Sequence, residues 1–405
     1  MSNKFNTRKL HLLIEIFIVL WLNAGNFTYI GEAIPSVAKF GAFIIWIALG
    51  FYQEKSFLKN WVNNVIFLLL FVLIILIGNL IGNEDYYSLF FQNYLYVFII
   101  TSLYSYRFYF GNKDEIVTIL TVLILDIVIV TVHTYIELLD NPLVARALST
   151  GSDLQEQLLG DKISKGLGGY ALCYQLVFFA AFVMNIHTNR KSAKLLKYAV
   201  YMGILLFLFQ AQITLALIMH FILIFIIVLC NKNDKKSSWI IKLVIIVITG
   251  CVALNIQNIL DMAINISSNE LAQRLAEVRN FLITRNADEG DLGSRMKLYT
   301  VSLKSFTDNP LIGTFGTKPF GNHSTFLDIL GVYGLLGIIG IAALLRPMMI
   351  IKKNLKDRSS NITMIIIIVS FIALSIINVT IMNEIWLMVI YIIPLGLKLS
   401  EYGRR

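Results

Sequence analysis

Arg295 and His323 stand out in a chain that is otherwise mostly apolar segments joined by short basic links. Both fall within residues 294–337, SRMKLYTVSLKSFTDNPLIGTFGTKPFGNHSTFLDILGVYGLLG. A guanidinium holds phosphate oxygens as a two-pronged fork and stays charged at any pH. Arg295 therefore suits an anionic leaving group. An imidazole exchanges protons near neutrality and accepts one from a hydroxyl about 3 Å away. His323 is thus a candidate general base or hydroxyl positioner. Together the two fit a transfer in which a phosphorylated group departs and a hydroxyl attacks from the opposite side, with inversion. Tyr299 follows Arg295 by about a turn, and Asp328 follows His323 closely enough to orient it. The plainer reading is a solvated arginine and a helix-capping histidine.

Such residues need elements to hold them, and here those elements are apolar. The 405 residues are 57% apolar and 15% charged, with a mean hydropathy of +0.73. That is far from the balance of a soluble domain and marks an all-α polytopic membrane protein. Apolar runs lie at about 10–24, 34–52, 61–81, 87–106, 115–135, 168–187, 197–209, 213–230, 239–257, 325–345, 361–379 and 383–399. They predict about twelve crossings of roughly 20 residues each. A tight outer turn at Gln210-Ala211-Gln212-Ile213-Thr214 separates the seventh and eighth. The first run contains Glu15 and lacks a small-residue cleavage site, so it reads as a retained helix.

Most Lys and Arg fall on one set of links, which places both termini in the cytoplasm. Two long links fall outside, residues 136–167 and 258–324, within a single transmembrane domain spanning 1–405. The first carries Lys162 and Lys165 and ends in Gly166-Leu167-Gly168-Gly169-Tyr170. The second carries Arg274, Arg279, Arg285 and Arg295, and its length without structure would be unusual unless it is functional. Ser267 and Glu270 predict a capping box, followed by a stripe of Leu271, Leu275, Val278 and Leu282. Ser294 predicts the cap of a second helix with Met296, Tyr299, Leu303 and Phe306 apolar, ended by Asn309-Pro310.

Other candidates read as structural. Cys173, Cys230 and Cys251 sit in apolar runs with neither disulfide nor zinc spacing. Glu15 and Asp126 are costly facing lipid, so each is expected to turn inward to a partner. His133 and His220 read as packing. Asp288-Glu289-Gly290-Asp291 reads as a solvated turn rather than a metal loop. Gly331, Gly334, Gly337 and Gly340 recur every three residues and predict close helix packing or lipid contact. The net charge of +9 is a topological charge, and nucleic acid is not an expected partner.

The series Arg295, Tyr299, Asn309-Pro310-Leu311-Ile312-Gly313, His323, then Leu327, Leu330 and Gly334 resembles the O-antigen polymerase and O-antigen ligase family of bacterial membrane glycosyltransferases. The resemblance is concentrated in 294–337 and extends loosely through the topology. It implies a GT-C-like membrane fold with a large helical extracytoplasmic loop carrying the active site, in the bacterial cytoplasmic membrane. It implies as substrate an undecaprenyl-diphosphate-linked oligosaccharide repeat unit, transferred to the next lipid-linked unit by a polymerase of O-antigen, capsule or exopolysaccharide, or to another final acceptor by a ligase. The motif arginine and histidine map onto Arg295 and His323. Many relatives carry a Ser-Arg pair at the outer end of a mid-chain helix, where this chain has Gln210 to Thr214 and no arginine. Either Arg274, Arg279 or Arg285 does that job, or the diphosphate is held differently. Lys162, Lys165, Tyr299 and Asp328 complete the candidate substrate-binding set. Several arginines would remove the need for a metal, so no metal and no cofactor are expected. The lipid bilayer, a flippase and a chain-length regulator are the candidate partners. A transporter or flippase for the same lipid-linked sugar is the competing class, distinguished by a central cavity opening alternately to both sides.

Overall fold

The computed structural model describes residues 2–23, 34–80, 84–150, 166–186, 188, 190–230, 256–266, 269–284 and 290–402. Among these residues every regular element is helical and no strand occurs. In order they are α1 (Ser2–Leu22), α2 (Ser36–Gln53), α3 (Phe57–Asn79), α4 (Glu84–Phe110), α5 (Lys113–Asp140), α6 (Val144–Thr150), α7 (Tyr170–Asn185), α8 (Lys191–Gln210) and α9 (Thr214–Cys230). Then follow α10 (Ile256–Ile266), α11 (Asn269–Thr284), α12 (Gly290–Asp308), α13 (Thr325–Tyr333), α14 (Gly337–Asn354), α15 (Arg358–Ile377) and α16 (Asn383–Tyr402).

Seven helical units among the described residues are long and apolar enough to cross a membrane: α2, α3, α5, α8, α13 joined to α14, α15 and α16. Helices α7 and α9 are apolar but shorter. The outward faces are those of a protein in lipid. On α3, Leu68, Phe71 and Ile75 are buried while Leu69, Leu70 and Leu73 are exposed. On α2, Phe43 and Trp46 turn in while Ile44 and Ile45 turn out. Exposed apolar surface on that scale is stable against hydrocarbon rather than water. The run expected at 239–257 lies largely outside the described residues.

Helix α16 forms the centre. Its residues 385–393 are all buried, and a π-helical turn, Leu387–Ile392, lies within it. From that turn Tyr391 donates to Glu15 of α1. Glu15 also accepts from Trp46 Nε1 at 3.2 Å and pairs with Arg107 Nη2 at 2.5 Å. Arg107 Nη1 meets Glu115 Oε2 at 2.6 Å, and Arg8 Nε meets Glu115 Oε1 at 2.7 Å. Charges from α1, α4 and α5 thus neutralise one another inside the bundle, as a low-dielectric interior demands. Asp126 likewise turns inward, accepting from Asn23 Nδ2 at 2.5 Å.

The links differ from expectation in detail. Within 136–167, α5 runs on to Asp140 and α6 occupies the next stretch. The segment expected as one crossing at 325–345 breaks into a 3₁₀ turn, Gly334–Leu336, before α14 continues to Asn354. Helix α12 spans Gly290–Asp308, so Ser294 lies inside it rather than at its start. The apolar stripe assigned to α12 is also not its packed face. Met296 and Leu303 are exposed, whereas Ser302 and Ser305 are buried. The reason is glycine: a Cβ on Gly331 would lie 2.8 Å from Ser302 O, and one on Gly321 would lie 2.3 Å from Leu298 O. Small residues let the backbones approach, and the small polar face wins the interface.

Candidate functional site

The residues after α12 are folded against the helix break. Asn309-Pro310 ends α12, and Gly313 takes φ +70°, a left-handed conformation that glycine adopts freely. This turn docks on Gly334, whose φ is +57°. Leu335 N donates to Pro310 O at 2.8 Å, and Phe315 N donates to Val332 O at 2.7 Å. A Cβ on Gly313 would lie 2.3 Å from Val332 O, so the contact is backbone on backbone. The Asn-Pro-Leu-Ile-Gly run and Gly334 therefore have a structural purpose: they fix how α12 and α13 meet.

Asp328 completes that junction. Its Oδ1 accepts from Ser302 Oγ at 2.5 Å and its Oδ2 from Ser324 N at 3.0 Å. The same hydroxyl accepts from Gly321 N at 2.8 Å. The backbones of Asn322 and His323 also hydrogen-bond to this carboxylate. Asp328 thus holds the loop that carries His323, rather than its imidazole. Half-buried His323 has Nδ1 2.8 Å from Asn322 O. A carbonyl only accepts, so Nδ1 carries the hydrogen and a neutral ring keeps its lone pair on Nε2.

Arg295 and Tyr299 line a cleft of about 350 Å³ between α7, α9, α11, α12 and the end of α15. Much of its wall is apolar, including Ile213, Ile218, Val278, Phe281 and Ile377. Polar groups come from Tyr170, Tyr174, Thr214, Glu277, Arg295 and Tyr299. Tyr174 lies within electrostatic reach of Arg295 and accepts from Asn378 Nδ2 at 2.6 Å. Tyr299 donates to Ile377 O at 2.6 Å, pinning α12 to α15. The arrangement can hold an anionic head near Arg295 and an apolar tail along the wall.

His323 does not line this cleft. Two residues on, Thr325 N donates to Asn378 O at 3.2 Å, and Ile377, the residue before Asn378, is cleft wall. Arg279 pairs with Asp261 of α10, Nε to Oδ1 at 2.5 Å, and is not in the lining. Arg274 falls on α11, with its side chain outside the described part; Arg285, Lys162 and Lys165 lie outside the described residues. Ser267 and most of the 288–291 cluster fall outside or at the edge of it as well. Among the described residues no three His, Cys, Asp or Glu side chains gather at metal-binding distance.

Sequence reasoning missed Tyr170, Tyr174, Thr214 and Glu277. Thr214 belongs to the very stretch where an arginine is lacking, and it faces the cleft beside Ile213. No protein-family model matches the chain, and no curated protein matches it either.

Proposed function

We propose that the chain is a polysaccharide polymerase that transfers an undecaprenyl-diphosphate-linked glycan to the next lipid-linked repeat unit, on the outer side of the bacterial cytoplasmic membrane. One observation supports it above the others: a mostly apolar cleft in a membrane-embedded bundle carries, on one helix, the arginine and tyrosine of the motif at 294–337. In this reading the apolar wall takes part of the polyprenyl chain. The Arg295 fork stabilises the diphosphate as the glycosidic C–O bond breaks and negative charge develops on it. Tyr170, Tyr174 and Tyr299 offer hydroxyls and ring faces to the sugar. The acceptor hydroxyl attacks the anomeric carbon from the other side, gives its proton to a base, and inverts the centre. A ligase would share every one of these features and differ in acceptor.

Two side chains compete for the base. His323 has the motif and an available Nε2, and Glu277 has the place in the lining. The reading assigns the proton to His323, with the acceptor entering past the α15 end. His323→Ala should lower transfer by about 10²–10⁴-fold with membrane insertion unchanged, while Glu277→Gln retains most of it. The opposite ranking, measured as polymer laddering from a lipid-diphosphate donor, would move the base to Glu277.

A further inference from the structure

A second, smaller cavity also borders α7, through Leu172 and Gln175. It measures about 50 Å³ and is lined by Asn23, Val130, Gly168, Gln175 and Glu384, with Leu167, Gly169 and Leu172 completing it. Two of its polar members, Asn23 and Gln175, form a directed chain with Asp126, which lies outside the lining. Asp126 can only accept when ionised, so Asn23 must present Nδ2 to it, at 2.5 Å. That leaves Asn23 Oδ1 to accept from Gln175 Nε2, at 3.0 Å. Gln175 Oε1 is then the end of the chain. Gln175 is fully buried, and Oε1 meets no donor among the described residues. Asp126 Oδ1 meets none either.

Neither Asp126 nor Glu384 has a Lys or Arg partner among the described residues. Glu15, in the same bundle, shows what a compensated carboxylate looks like here: it has Arg107. An amide oxygen buried without a donor is costly in a membrane interior, and so is a carboxylate with no cationic partner. The wall supplies oxygen donors only, with no imidazole or thiolate among the lining residues. A glycine-rich turn, 166–169, presents its backbone there, and Gly168 N is held by Thr134 Oγ1 at 2.8 Å. Oxygen donors suit hard cations, and unwound backbone is the usual companion of Na⁺ sites inside membrane bundles. One carboxylate with neutral oxygens balances a single positive charge, and the volume admits one or two water-sized occupants.

We infer that this cavity is a binding site for one hard monovalent cation, Na⁺ in the first instance, held by Glu384, Gln175 Oε1 and the backbone of the 166–169 turn. The inference does not depend on the transfer chemistry. The test uses the full chain in detergent, prepared free of Na⁺ in choline chloride, with Na⁺ replacing choline at constant ionic strength. Tm should rise saturably by about 2–4 °C, and radiolabelled ²²Na⁺ should bind at one ion per chain. Glu384→Gln and Gln175→Leu should each abolish both responses. Should either variant fold poorly, the wild-type chain still decides: absence of saturable ²²Na⁺ binding overturns the site. An Na⁺ response that survives unchanged in Glu384→Gln overturns the assignment to this cavity.

Discussion

At the scale of single residues, the account rests on Arg295 and its placement in the cleft wall beside Tyr174 and Tyr299. A lysine there would keep the charge and lose the fork that grips two phosphate oxygens at once. Arg295→Lys should therefore cost roughly 10²–10³-fold in turnover, read as initial polymer formation at saturating donor. A rate near wild type would remove the bidentate contact from the mechanism. His323 differs in kind. Its loop is set by Asp328 and Ser302 through backbone amides, so its position is inherited from a junction rather than from a direct brace on the ring. Arg279 stands elsewhere, outside the cleft lining. The sequence offers it as one candidate for the diphosphate, and in the structure its guanidinium pairs with Asp261.

At the scale of elements, the junction of α12 with α13 decides where Arg295 and His323 stand. It is built from absences of side chain: Gly331 against Ser302, Gly321 against Leu298, Gly313 against Val332. Gly331→Leu should push α12 off α13 and lower both stability and transfer, with a stability loss of about 1–3 kcal/mol typical of overpacking. Unfolding of the purified variant in detergent checks this, and an unchanged midpoint would contradict it. This junction also marks where reading the sequence stops. Helices α3, α5 and α15 were legible because long apolar runs leave the chain few alternatives in lipid. The start of α12 and its packed face were not. Ser302 and Ser305 look like solvent-facing residues, and the glycines that draw them inward lie far along the chain. Periodicity reports how apolar a face is; it does not report how closely a partner backbone can come. The cleft was half legible for the same reason. Arg295 and Tyr299 share one helix and one motif, whereas Tyr174, Thr214 and Glu277 reach it from three others.

At the scale of the whole molecule, the bundle is locked by charge at one level and by polar contacts at another. Arg8, Glu115, Arg107 and Glu15 link α1, α4 and α5, and Tyr391 ties them to α16. Removing Arg107, itself about 1% exposed, would leave Glu15 buried and uncompensated. Arg107→Met should cost about 3–5 kcal/mol, seen as loss of folded protein on size-exclusion chromatography. Adding Glu15→Gln to that variant should recover part of the loss, because the orphaned charge goes with it. This scaffold holds α7, α11, α12 and the end of α15 around one cleft, and the functional reading asks that cleft to take a lipid diphosphate.

The most direct measurement is to incubate the purified chain with a lipid-diphosphate oligosaccharide as the sole sugar substrate and resolve the products by length. The account predicts a ladder of lipid-linked polymers, formed by the wild-type chain and lost in Arg295→Lys. No product with that donor, either alone or with a second acceptor supplied, or an equal ladder from Arg295→Lys, would contradict it.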